Sequence, residues 1–214
     1  MDINSKLKQL NRSLHYILLV TVVACGVIPR TASADNGNVP VDLQVKLILT
    51  ALTYDKSLET RANGQLNIGI LYFPESSQSE KEANQFVKTL DGFKDKKISG
   101  RSFNGTLLSY ADNGGLRKKI IDKNIDVLYI VHGKKELIDK VLKVTRSEKI
   151  LSCTCKAELV TSCGVTMAVG LKDNKPKIYL NLSSAKSEGA DFSAKFLRVA
   201  EIVGKKESED RSQK

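Results

Sequence analysis

IDVLYIVHGKKELIDKVLKV, residues 125–144, decides the fold. Its first seven residues are apolar but for Asp126 and do not alternate, the pattern of a strand buried on both faces. His132-Gly133-Lys134-Lys135 then breaks the run. Beyond it Leu137, Ile138, Val141 and Leu142 recur at helical spacing between charged residues. A buried strand feeding an amphipathic helix is half of a strand–helix–strand unit, and such units build parallel sheets with right-handed crossovers.

The pattern repeats on either side. LNIGILYF (66–73) predicts a second fully buried strand, and Ser79-Glu80-Lys81-Glu82 a capping box opening a helix with Ala83, Phe86, Val87 and Leu90 inward. Upstream, VPVDLQVKLILTALTYDK (39–56) predicts a first helix starting near Pro40 and Asp42. Downstream, KKISGRSF (96–103) reads as a short strand, and Asn104-Gly105 and Asp112-Asn113-Gly114-Gly115 as turns. LRKKIIDK (116–123) reads as a short helix and KILS (149–152) as a short strand. VTMAVGL (165–171) and KIYLNL (177–182) alternate in polarity around Asp173-Asn174-Lys175-Pro176, an antiparallel hairpin with one buried face. A last helix is expected from about Ser193 to Val203, stopped by Gly204. The fold class is α/β: a three-layer sandwich, with a mostly parallel sheet and a C-terminal antiparallel hairpin. One domain spans 35–204, and the charged tail 205–214 is expected to be loose.

The head of the chain reads differently. Lys6, Lys8 and Arg12 precede an apolar run from Tyr16 to Ile28, and Ala32-Ser33-Ala34 follows. A basic head, a short apolar stretch and an A-x-A site make residues 1–34 a secretory signal peptide, cleaved after Ala34. The run is short for a membrane span, which takes about 20 residues. The alternative is Val22-Val23-Ala24-Cys25, which resembles a bacterial lipobox and would leave a lipid-anchored envelope protein with lipidated Cys25 as its first residue. Export places the mature chain outside the cytoplasm. Of the formal charge of +10, four basic residues against Asp2 belong to the head, so the mature part keeps about +7. Its basic residues are not interleaved with aromatics and there is no Trp, which argues against a nucleic-acid partner.

An exported chain meets an oxidising compartment, where Cys153, Cys155 and Cys163 are candidates for a disulfide. Cys155 with Cys163 and Cys153 with Cys163 are the two pairings; Cys153 with Cys155 would close a strained ring. One thiol is left over. A metal site is not expected, since C-x-C-x7-C with His132 matches no common zinc spacing. No cofactor motif is present, neither G-x-G-x-x-G nor a phosphate loop. An enzyme is not expected either: Ser76, Ser77 and Ser79 lie in no G-x-S-x-G, and His132 is the only imidazole of the mature chain. His132 and Lys134 follow a central strand, where open α/β sheets bind ligands, and Phe73-Pro74-Glu75-Ser76-Ser77 follows the other, so they form a candidate edge for a small anion.

PKIYLNLSSAKSEGADFSAKFLRVAEIVG (176–204) joins a strand ending in Asn181 to Ser183-Ser184-Ala185, a bend at Gly189 and an F-S-A-K-F-L-R-V-A helix. Together with LNIGILYF, and DVLYIVHGKKELIDKVLK followed by KILS, it resembles the YfiR-like family of exported bacterial proteins over residues 40–203. Two places depart from the family pattern: Tyr54-Asp55-Lys56-Ser57-Leu58 stands where Trp-Pro is usual, and Cys163-Gly164 where a Gly-Gly turn is common. The resemblance implies a non-catalytic periplasmic regulator. Such a protein binds the periplasmic domain of an inner-membrane diguanylate cyclase and represses it, with release under envelope or redox stress. It also implies that a disulfide would fit, and a homodimer is a candidate assembly. The alternative is a small-ligand-binding or sensing module.

Overall fold

The structure, a computed structural model, describes residues 39–62, 64–112 and 114–204. The expected signal peptide with its Ala34 site, Cys25 and the charged tail lie outside the described residues.

Helix α1 (Val41–Leu52) starts beside Pro40, whose carbonyl accepts the Gln44 N–H at 2.9 Å, and buries Val45, Ile48, Leu49 and Leu52. A single turn, α2 (Leu58–Arg61), leads to β1 (Leu66–Tyr72). Helix α3 (Ser77–Asp91), β2 (Phe103–Ser109), α4 (Gly115–Asp122) and β3 (Val127–Ile130) follow. Then come α5 (Lys135–Glu148), β4 (Leu151–Thr154), α6 (Ala157–Ser162) and the hairpin β5 (Met167–Lys172) and β6 (Lys175–Asn181). The described part closes with α7 (Leu182–Ser187), α8 (Ala194–Leu197) and β7 (Glu201–Val203).

The seven strands form one sheet in the order β2-β1-β3-β4-β5-β6-β7. Strands β1 to β5 pair in parallel, β6 runs antiparallel to β5, and β7 is parallel to β6. Alternation along each central strand feeds two cores. Val127, Tyr129 and Val131 join Ile48, Leu52 and Phe86 on one face, while Leu128 and Ile130 join Leu116, Ile120, Ile138 and Val141 on the other. The three layers of the α/β sandwich are thus observed.

Several local expectations are corrected. The strand expected at 96–103 lies later. Ile98 and Arg101 close a tight turn over Ser99 (φ 48°) and Gly100 (φ 79°), so β2 begins only at Phe103. Asn104-Gly105 is therefore no turn but part of β2. A Cβ on Gly105 would stand 2.8 Å from Leu90 Cδ2, so glycine is there to let α3 close on the strand. The capping box at Ser79 is displaced: Ser76 is the N-cap, its hydroxyl accepting the Ser79 N–H at 3.2 Å. The hairpin turn is Asp173-Asn174 alone, both residues in the left-handed region, as a two-residue turn demands. The helix expected over 193–203 ends after one turn, and β-branched Ile202 and Val203 instead give β6 a partner along its outer edge.

One buried acid pins these parts together. Glu188 has no exposed surface. Its carboxylate accepts hydrogen bonds from Thr145 Oγ1 (2.6 Å) on α5, Ser152 N (2.7 Å) and Oγ (3.0 Å) on β4, and Thr166 Oγ1 (2.6 Å) before β5. Burial still pushes its pKa up, against the pull of those four donors.

Candidate functional site

From β1 the chain crosses to β2 on one side, then returns over β1 to lay β3 on the other. The segments leaving the carboxyl ends of β1 and β3 therefore part from each other, and a crevice opens between them. Two adjoining hollows of about 290 and 280 Å³ occupy this edge. Phe73, Glu75, Ser76, His132, Gly133, Lys134 and Leu137 line the first; Tyr110, Asp112 and Glu136 extend the second.

The floor is aromatic. Phe73 is buried, its ring fills the space beside Gly133, and its centroid lies 5.4 Å from that of Tyr110. The Phe73 N–H donates to Ser79 Oγ at 2.9 Å, which ties the end of β1 to α3. At the rim Tyr110 donates its hydroxyl hydrogen to Asp112 Oδ1 at 2.6 Å, and Lys140 Nζ donates to the same oxygen at 3.1 Å. Burial, and then the Asp112 carboxylate, push the Tyr110 pKa up to about 12. The Tyr110 and Lys140 donors hold that of Asp112 below its usual value. Tyr110 is thus a fixed neutral donor, not a base.

His132 and Lys134 both line the first hollow, on exposed rim positions. Lys134 is the N-cap of α5, which begins without a side-chain cap. Two of the three serines considered as nucleophiles do structural work: Ser76 caps α3 and Ser79 holds the Phe73 amide. The sequence placed Phe73-Pro74-Glu75-Ser76-Ser77 at this edge, but it did not single out Tyr110 or Asp112. The one available signal was an aromatic at the carboxyl end of each of two adjacent strands.

The cysteines lie elsewhere. Cys153 is fully buried in β4 on the α1 face, Cys155 packs half-buried against the same core, and Cys163 packs against the opposite core at the end of α6. All three are free thiols, so the expected bridge, Cys155 or Cys153 with Cys163, is not formed in the structure. Cys153 and Cys155 pack against one core and Cys163 against the other, with α6 between Cys155 and Cys163. Burial raises the pKa of Cys153 strongly and that of Cys155 less, where contact with the Tyr129 hydroxyl opposes it. Among the described residues no three His, Cys, Asp or Glu side chains converge as a metal site, and no helix is long and apolar enough to cross a membrane.

The chain matches the family model described as DUF4154, YfiR/HmsC-like, over residues 59–201. No curated protein matches it. Among solved structures it is similar to an ABC domain in complex with L-Trp from Streptococcus pneumonia, at 13% identity and a TM-score of 0.54 over 77% of this chain. It is also similar to a conserved domain protein from Vibrio cholerae, at 15% identity and 0.54 over 76%. A third is the ligand-free, open form of a substrate-binding protein with adhesive properties from Clostridium difficile, at 15% and 0.53 over 77%. The match covers 60% of each of those chains. At such identity the likeness is one of fold.

Proposed function

Because this chain belongs to the YfiR/HmsC-like family, we propose that it is a non-catalytic periplasmic regulator that binds the outer domain of an inner-membrane diguanylate cyclase and holds it inactive. The observation that carries this reading is the extent of the family match, from within α2 to the first residue of β7. The basic, apolar and A-x-A order of the head supports export. The commitment of Ser76 and Ser79 to backbone contacts supports a role without chemistry. The test is cyclic di-GMP in a deletion strain beside wild type and a complemented strain. The reading requires a rise that complementation reverses, and co-purification with a cyclase through its periplasmic domain. An unchanged level across growth conditions overturns it.

A second reading has its own observation, the crevice at the switch point of the sheet. There a small anion would meet Lys134 and the uncapped start of α5, with His132 beside it. Screening small anions by thermal shift tests it: a rise in Tm that His132→Ala abolishes supports a sensing module.

A further inference from the structure

At the opposite end of the sheet, the starts of β1 and β3 frame another hollow, of about 480 Å³. Its lining is Arg61, Gln65, Asn67, Asn124 and Asp126, polar throughout. The set is held rigid. Asp126 Oδ2 accepts the Asn67 N–H at 2.8 Å, and Asn67 Nδ2 donates to the Asn124 carbonyl at 3.0 Å. Asn124 itself sits at φ 46°, a conformation Asn tolerates better than most residues. Gln65 and Asn124 are exposed. The Nε atoms of Arg61 and of nearby Arg101 are buried without a hydrogen-bond partner among the described residues.

The charges of this edge cancel. Arg61 is paired with buried Asp55, and Arg61 and Arg101 both lie close enough to Asp126 to favour its ionised form. Loss of hydration nevertheless raises the Asp126 pKa. An anion would meet the Asp126 carboxylate, and an ammonium would meet two guanidiniums. What remains is a neutral rim of planar groups carrying donors and acceptors in similar number. The hydroxyl is the small neutral group that both donates and accepts, and adjacent hydroxyls match the paired atoms of an amide or carboxylate.

We propose that this hollow binds a neutral polyhydroxylated unit, a single sugar ring, through Asp126, Asn67, Asn124 and Gln65. The ring is either a free monosaccharide or one unit of a glycan. The site is separate from the crevice at the carboxyl edge and does not depend on the regulator reading.

The test is an NMR titration of the purified, 15N-labelled protein, following the side-chain amides of Gln65, Asn67 and Asn124. The probes are D-glucose, N-acetyl-D-glucosamine, its β-1,4-linked trimer and inorganic phosphate. The proposal expects saturable shifts with sugar and none with phosphate. Tighter binding of the trimer points to a glycan; equal or tighter binding of a monomer points to a free sugar. Gln65→Ala with Asn124→Gly should weaken binding by about tenfold, the worth of one or two hydrogen bonds. Glycine keeps the positive φ at position 124, so the variant's backbone spectrum should stay dispersed and native-like. Shifts with phosphate alone overturn the ligand class. The absence of shifts with any probe, or sugar binding indifferent to the double variant, overturns the site.

Discussion

The ring of Phe73 occupies the place where residue 133 would carry a side chain: a Cβ on Gly133 would stand 2.2 Å from Phe73 Cε2. Both residues follow central strands, so this one contact sets how far the walls of the crevice stand apart. Gly133→Ala is therefore expected to displace Phe73 and cost about 1–3 kcal/mol, the usual penalty for overpacking. Urea denaturation measures the loss. Phe73→Leu in the same background should recover part of it, because a smaller side chain leaves room for the methyl.

Asp55 presents no side-chain surface to solvent and is paired with Arg61. It also accepts the N–H groups of Ser57 and Asp191, each at 3.0 Å, and so fastens the chain after α1 to the segment before α8. Arg61→Ala leaves this carboxylate buried beside no cation, at a cost of about 3–5 kcal/mol. The double variant Arg61→Ala, Asp55→Asn should be less damaged than Arg61→Ala alone, which a double-mutant cycle in chemical denaturation checks.

Glu188 carries a pH signature. Its pKa is raised in the folded chain by burial, so the folded state holds its proton at pH values where the unfolded chain has released it. The stabilisation is fully present below the unfolded value near 4.5 and is lost as pH rises through the higher folded value. Wild type should therefore lose stability relative to Glu188→Gln as pH rises above about 4.5. Parallel denaturation series across pH 4 to 7 detect the difference in slope; equal slopes count against it. Glu188→Ala, which removes one partner from each of three hydroxyls and from a buried amide, should cost about 3 kcal/mol or more at any of these pH values.

The thiols should react in order of access. Cys163 is expected to take up a maleimide first, Cys155 slowly, and Cys153 only on unfolding, because a buried thiol with a raised pKa yields little thiolate. Peptide mapping of protein taken from the periplasm, labelled with and without reductant, gives the order. The same map reports whether Cys155 and Cys163 are joined there: if so, neither is labelled until reductant is added.

Where apolar periodicity alone decides the structure, the sequence was legible. LNIGILYF and IDVLYIV are strands buried on both faces, and the alternation of Met167, Val169 and Leu171 does mark a hairpin. Two kinds of feature escaped. Asn104-Gly105 looks like a turn in isolation, and only the approach of Leu90 explains a glycine inside a strand. Residues 193–203 have helical spacing, but the unpaired edge of β6 outweighs that local preference and draws Glu201–Val203 into the sheet. The site divides in the same way. His132 and Lys134 could be found from their place after a strand, whereas the Tyr110–Asp112–Lys140 cluster joins residues up to 30 positions apart in no recognisable motif. The hollow around Asp126 draws on residues separated by more than 50 positions, which no local pattern exposes.

In the order of the chain, Glu188 comes after every group that donates to it. Thr145, Ser152 and Thr166 all precede the acceptor they share, which comes only with residue 188. A sheet closed without it would bury the Ser152 amide and the Thr166 hydroxyl short of the acceptor they share. The closing of the middle of the sheet is thereby coupled to the segment that carries residue 188, so the two should be gained and lost together.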